Sequence, residues 1–480
     1  MSNSQAADSD ALAERVDRMI SIGRVGAARP LVAALKRMAL GSSKIDLLEA
    51  KLALREGRVS DALAGLDRAI EQDENHAGLH KCRAEARLKS DNIPGAADDA
   101  AQAVILDRVD PAGKALLGVV LIEMKLFDDA ISCLSEAVAA DPVNASYRVG
   151  LAEALARTGN ISAAEAVIDQ AVAQHPSRAD LRTKAILLRM RARDFQTVIS
   201  LANDARTEGA ADACVFGLLG HAYSSIGQHD LAGDSYREAL KLCPEDSYVR
   251  HLVAASGAMP DSERAPPEYL RAVFNGYAER FEPHLIALLY RVPGMIRNII
   301  AQEIAKLDRP ALLDLGCGTG LVGVTCGDLL LGPMTGVDIS PQMLAKAREK
   351  NIYADLIEAD LPRFLETDSR VWPLVTAGDV LCYFGELTGI FAKVRARMSP
   401  GGLFVFSVEE LLADADGVEQ GNGAHALGRL GRYAHSIPHV EQAAAVAGFD
   451  VELLQQQDLR RESDNPVAGL LVVLRAKSYA

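Results

Sequence analysis

The sequence predicts a chain of two unlike halves, an all-α repeat solenoid followed by an α/β domain with a mostly parallel sheet. Three observations carry this. Small and apolar residues recur every 34 residues from Gly23 to Pro244. The recurrence stops in a stretch rich in Gly, Ser and Pro, residues 254–267. Beyond that stretch, short apolar runs alternate with longer amphipathic ones, as strands and helices do in parallel-sheet proteins. A chain of 480 residues exceeds the ~250–300 at which single cores stop growing. Its 49% hydrophobic content suffices for packed interiors.

In the N-terminal half, a column of the repeat reads Gly23, Gly57, Asp91, Lys125, Gly159, Arg193, Gly227, which suits a turn between two helices. Five residues on, a column of small residues reads Ala28, Ala62, Ala96, Ala130, Ala164, Val198, Ala232. Seven further on comes Leu35, Ala69, Ala103, Ala137, Ala171, Ala205, Ala239, with Val32, Leu66, Ala100, Leu134, Ile168, Ala202 and Tyr236 between them. Small residues at this spacing let paired helices approach closely. Pro142, Pro176 and Pro244 end the second helix of three units. Period and unit resemble the tetratricopeptide repeat (TPR) family, which implies about seven units over residues 9–253 and a concave face. Groove positions would include Ala115, Val119, Ile122, Val149, Glu153, Leu187, Met190, Gly217 and His221. Many of these are expected to pack between helices. The alternative is a groove for a protein or peptide partner, or for the chain's own catalytic domain, with no basic clamp for a terminal carboxylate.

The net charge of −14 argues against a nucleic-acid partner, since that binding runs on clustered Lys and Arg. No apolar run reaches the ~18 residues of a membrane span, and the polar start Met1–Gln5 does not read as a signal peptide. Seven scattered cysteines without a C-x-x-C pair suit reduced thiols. A cytoplasmic protein is expected.

In the C-terminal half, residues 268–480, a strand is expected at 311–315, followed by a glycine loop and a helix. A second strand ends at Asp338, where Ser340-Pro341 supplies an N-cap and first-turn proline for a helix over 342–350. A third strand ends near Asp360 and a fourth, 374–377, runs into Gly378-Asp379-Val380. A helix at 386–398, a fifth strand at 403–407, a helix near 440–447 and two terminal strands, 451–454 and 469–474, complete the pattern.

The run Leu312-Leu313-Asp314-Leu315-Gly316-Cys317-Gly318-Thr319-Gly320 is an apolar strand breaking into glycines at alternate positions. Such glycines let a bulky ligand lie against bare backbone. Gly318, Gly320 and Gly323 also spell the dinucleotide fingerprint, with Asp338 about 20 residues on. There, however, the first glycine directly follows the strand. The D-L-G-x-G-x-G run and the tract Gly336-Val337-Asp338-Ile339-Ser340-Pro341 instead resemble the motifs of class I S-adenosylmethionine (SAM) methyltransferases. This resemblance implies a Rossmann-like fold of seven strands, mostly parallel with one antiparallel strand, and SAM as cofactor. It implies that Asp314 braces the loop, that Gly316, Cys317 and Gly318 lie along the methionine and ribose, and that Gly320 completes the motif. Asp338 would take the ribose hydroxyls, Ile339 and Met343 would pack on the adenine, and Asp360 with Leu361 would sit by its amino group. Asp379 and Val380 would border the methyl-transfer site.

Two segments are expected to shape the acceptor pocket. Residues 269–293 look like the N-terminal lid of small-molecule methyltransferases, with Tyr277 and Arg291 closing over the methionine end. Within them Asn275 and Glu282 stand where a related group of repeat-bearing bacterial methyltransferases carries aspartates. The glycine-rich 428–436 segment offers Tyr433 and His435 for acceptor binding or proton removal. Their alternative role is to cap and pack the next helix. No Asn/Asp-Pro-Pro-Tyr/Phe tract follows strand four, as amino-methylating nucleic-acid and glutamine enzymes usually show. There is no carboxylate trio for a metal, so catechol-type chemistry and a metal site are not expected. A small-molecule acceptor leads. A protein substrate recruited by the repeats and a SAM-binding scaffold without turnover are the alternatives.

Overall fold

The computed structural model describes residues 3–38, 43–304, 310–330, 332–412, 423–462 and 465–478. It divides into two compact units, Met1–Ala211 and Asp212–Ala480.

Helices run in pairs from Asn3–Ser21 and Val25–Met38 through to Ala213–Ser225 and His229–Leu242, seven pairs among the described residues. The expected turn column is where the chain reverses. All seven of its residues have φ between +60° and +81°. Four are glycine; Asp91, Lys125 and Arg193 adopt the same left-handed geometry at a cost of about 1–2 kcal/mol each. Every residue of the three small or apolar columns is buried. The helices approach so closely that a Cβ on Gly118 would lie 2.5 Å from Leu134 Cγ.

The seventh pair and a further helix, Ser247–Ala255, belong to the second unit. Residues 262–266, part of the Gly-, Ser- and Pro-rich stretch 254–267 that reads as a linker between the halves, are built into that unit. Glu263 accepts from the Gly385 N–H (2.7 Å), and Ala265 donates to the Tyr383 carbonyl (2.8 Å). Tyr269 lies 4.5 Å from His251 between ring centroids, and His251 Nε2 sits 3.1 Å from the Gly431 carbonyl oxygen.

The sheet of this unit holds β1 (Leu312–Leu315), β2 (Met334–Asp338), β3 (Asp355–Glu358), β4 (Trp372–Ala377), β5 (Met398–Glu410), β6 (His425–Leu427), β7 (Tyr433–His435), β8 (Phe449–Glu462) and β9 (Asn465–Ala476). Its main body runs β3-β2-β1-β4-β5-β9-β8, parallel throughout except β9, which is antiparallel to both neighbours. This is the expected seven-stranded arrangement. Successive strand residues face opposite sides: Leu313, Val375, Phe404 and Val472 enter one core, Leu312, Leu374, Leu403 and Leu471 the other. Burial on both faces explains why these strands read as unbroken apolar runs.

Two features depart from expectation. The 428–436 segment is not an open lid. β7 pairs with the end of β5, and β6 folds back on β7 as a hairpin. The terminal strands are also far longer than the 451–454 and 469–474 runs. Their register slips between Asp458 and Arg460, a bulge that buries both Leu459 and Arg460.

Helix packing in the repeats predicts opposite outcomes for two glycine substitutions. Gly118→Ala, which must push into Leu134, is expected to cost about 1–3 kcal/mol. Gly65→Ala, in a helix with nothing within 4 Å of the new methyl, is expected to stabilise by about 0.5–1 kcal/mol. Urea unfolding of the two variants checks the contrast; equal shifts would refute the packing argument.

Candidate active site

The strand order reverses between β1 and β4, and ligands of open α/β sheets bind at the carboxyl ends of the strands at such a point. A cavity opens there. The loops after β1 to β4 each contribute, through Gly316 and Gly318, Ile339, Asp360 and Leu361, and Gly378 to Val380, with Asp338 at the end of β2.

The glycine loop is held from below. Asp314 is buried and accepts from the Tyr353 hydroxyl (2.6 Å) and the Thr376 hydroxyl (2.8 Å). Tyr353 in turn accepts from the Gly323 N–H at the start of the next helix (3.2 Å). Burial pushes the Asp314 carboxyl up to about 6 against these two donors. Gly316 must be glycine: its φ is +64°, and a Cβ would stand 2.4 Å from Val380 Cγ2.

Asp338 accepts from the Gly318 N–H (2.9 Å) through one oxygen and the Ser340 N–H (2.8 Å) through the other. Burial again dominates and raises its carboxyl to about 6. Ser340 caps its helix through the Met343 N–H (3.1 Å) and donates to Asn275 Oδ1 (2.7 Å). Asn275, found where relatives of the group carry an acid, therefore ties the lid helix Pro267–Tyr277 to the β2 loop. Asp360 is gripped by both terminal nitrogens of Arg264 at 3.0–3.1 Å.

The lid forms the far wall. Phe281 lies over Gly318, 3.6 Å from where its Cβ would be. Phe281 also meets Phe274 and Tyr277 edge-on at 6.4 and 5.4 Å between ring centroids. Leu285, Leu288 and Tyr290 continue this surface. Opposite stand Asp379, Arg432, Arg460 and Glu462. Asp379 has φ +59° and donates its N–H to Ser407 Oγ (2.9 Å). Its carboxylate receives Arg460 at 2.8 and 3.1 Å. Arg460 also bonds Glu409 and Glu462, and Arg432 bridges the same two glutamates at 2.6 Å each. Both guanidiniums are thus matched by carboxylates, and burial still drives the Asp379 carboxyl upward.

Of the expected site residues, Gly316, Gly318, Asp338, Ile339, Asp360, Leu361, Asp379, Val380 and Tyr277 meet at this cavity. Asp314, Cys317, Gly320 and Met343 lie behind it. Cys317 donates its N–H to Val337 (3.0 Å) and packs its thiol against Gly336, while Gly320 opens the following helix and Met343 is fully buried. Three expectations are corrected. Tyr433 is completely buried and its hydroxyl donates to the Ser262 carbonyl, because β7 is a sheet strand and not a lid. His435 is buried on the same strand, away from the cavity, where burial lowers its imidazole to about 3. Arg291 is exposed, and its contribution is a backbone bond to Leu459 (3.0 Å). His284 and Tyr290 line the cavity from within the expected lid segment, though neither is singled out by the sequence, and Tyr383, Arg460 and Glu462 lie outside both expected segments. Arg460 and Glu462 could be read as cavity-lining only by knowing that β8 extends and bulges there.

The donor set fits SAM. A carboxylate that faces the cavity suits vicinal ribose hydroxyls, Ile339 and Leu361 offer apolar plates, and Asp360 can accept an amino N–H.

Comparison with known proteins agrees with this architecture. A family model described as a methyltransferase domain matches residues 313–404, and tetratricopeptide-repeat models match 116–179 and 215–246. A biotin biosynthesis bifunctional protein BioCD of Bordetella avium is 29% identical over 140 residues, covering 28% of this chain and 29% of its own. A malonyl-[acyl-carrier protein] O-methyltransferase of Halalkalibacterium halodurans is 30% identical over 110 residues, 22% of this chain and 40% of its own. The chain therefore spans less than half the length of these curated relatives. Among solved structures, magnesium protoporphyrin IX methyltransferase from Synechocystis PCC 6803 with bound SAH aligns over 44% of this chain and 100% of its own, at 14% identity and a TM-score of 0.35. The protein is a tetratricopeptide-repeat chain that carries a methyltransferase domain in its C-terminal half.

Proposed function

We propose that the chain is a SAM-dependent methyltransferase whose acceptor is a small molecule with an apolar body. One observation carries the small-molecule reading: a single cavity joins the cofactor donor set to a space walled by Phe274, Phe281, Leu285 and Leu288. SAM supplies a methyl group already activated on its sulfonium, so the protein's task is positioning and exclusion of water. The glycine loop and Asp338 fix the nucleoside end. The lid aromatics exclude water above it. Arg460 holds Asp379 rigidly at the mouth of β4, so that its carboxylate presents a fixed negative edge to the cavity.

Burial keeps the Tyr290 and Tyr383 hydroxyls protonated, so both act as donors to a polar atom of the acceptor. His284 is the lining histidine, and among the described residues it makes no ion pair; its ring stands 5.5 Å from Tyr277. We assign it the proton released when an O–H or N–H acceptor is methylated. His284→Gln should lower kcat with SAM affinity unchanged, whereas a change in affinity alone would remove it from that role.

Calorimetric titration tests the cofactor. Asp338→Ala is expected to weaken SAM binding about tenfold or more, the loss of charge-assisted hydrogen bonds. For the unaltered chain, Asp338 must be ionised to accept from two hydroxyls. With Asp314 and Asp338 both raised to about 6, affinity should be level above pH 7 and fall as pH drops below 6. A pH-independent affinity between 5 and 8 would contradict this assignment. The acceptor class is read by transfer of labelled methyl from SAM in a cell extract. Label in small metabolites supports the proposal, and label confined to protein replaces it with a repeat-recruited protein substrate.

A further inference from the structure

Away from the cavity, three side chains far apart in sequence converge. Glu386 follows the loop after β4, His425 opens β6, and His439 lies early in the helix Ile437–Val446. Each brings one donor atom to within 4.8 Å of the others. None of the three lines the cavity.

Local geometry prepares this set for a ligand. His439 Nε2 lies 3.2 Å from the Gly385 carbonyl oxygen, so that nitrogen carries the proton and donates, leaving the Nδ1 lone pair bare. A backbone carbonyl fixing the tautomer and ring plane in this way is the usual outer support of a metal-bound imidazole. Glu386 accepts from the Thr388 N–H at 2.8 Å, which orients its carboxylate. Gly385 is shaped to admit His425: a Cβ there would stand 2.9 Å from His425 Nε2. A third imidazole completes the surroundings. His435 is paired across the hairpin with His425 and stacks on His439 at 5.5 Å, 8° from parallel. It is completely buried, and neither ring nitrogen has a hydrogen-bond partner; the nearby Leu381 and Phe384 carbonyls fall outside bonding geometry.

We propose that Glu386, His425 and His439 bind one divalent transition ion of the Zn²⁺ class, with His435 as the buried wall behind it. Two imidazoles and one carboxylate are the ligand types that Zn²⁺ accepts, and the exposed Glu386 side leaves the fourth position to water. The ion would pin the loop that carries Tyr383 and Phe384 to the hairpin that carries Arg432, all three of which line the cavity. The ion would stiffen one wall of the cavity without lining it. It stands independently of the cofactor reading.

The test uses tag-free full-length protein, dialysed against Zn²⁺ and then metal-free buffer, with bound metal counted by mass spectrometry. One Zn²⁺ per chain is expected, and Co²⁺ substitution should give the visible absorption of a tetrahedral site. Glu386→Ala changes an exposed side chain and is expected to fold normally, which circular dichroism checks, while weakening Zn²⁺ at least tenfold. His439→Gln should abolish the Co²⁺ spectrum. A chain that binds less than a tenth of an equivalent, or a Glu386→Ala variant with unchanged affinity, would overturn the proposal.

Discussion

Arg460 holds the catalytic unit together at its most demanding point. A guanidinium only 3% exposed cannot remain charged without partners, and three carboxylates supply them: Asp379 after β4, Glu409 on β5 and Glu462 on β8 itself. Arg432, beside β7, returns to two of the same carboxylates. Four chain segments are therefore fixed to one another by charge matching, and removing Arg460 would leave three carboxylates facing Arg432 alone, stranding buried charge at a cost of about 3–5 kcal/mol. The left-handed backbone of Asp379 persists because this network holds it. The acceptor side of the cavity is built on these constraints.

The cofactor side rests on a different principle. There backbone N–H groups and buried carboxylates set the shape of the loop. Asp338 spends its two oxygens on loop N–H groups, and Asp314 sits one layer deeper, bracing the strand ends through Tyr353 and Thr376. Both carboxyls are raised by burial, so the loop's shape and its readiness to meet hydroxyl donors depend on the same two groups.

These two halves of the site were unequally legible in the sequence. Gly316, Asp338, Asp360 and Val380 follow directly from strand ends, because a parallel sheet always presents those positions at one edge. Repeat columns were equally clear, since every unit buries the same positions. Arg460 and His284 were not legible: one depends on a β-bulge, the other on the fold of a lid. Tyr433 and His435 misled because a glycine-rich stretch reads as a loop, and only pairing with β5 makes it a strand. Glu386, His425 and His439 are 39 and 14 residues apart in sequence, and such gaps hold no ligand-spacing signal.

A solenoid has an exposed apolar face at each end that something must cover. At its C-terminal end the helix Ser247–Ala255 follows the seventh pair and is itself covered on its far side. Val249, Val253, Ala254 and Ala255 are buried on the last helix, and Tyr248 and His251 meet Tyr269 at the root of the lid helix. The α/β domain is itself the cap. The final pair is bound by its contacts to this one domain, and it would have to change together with the lid.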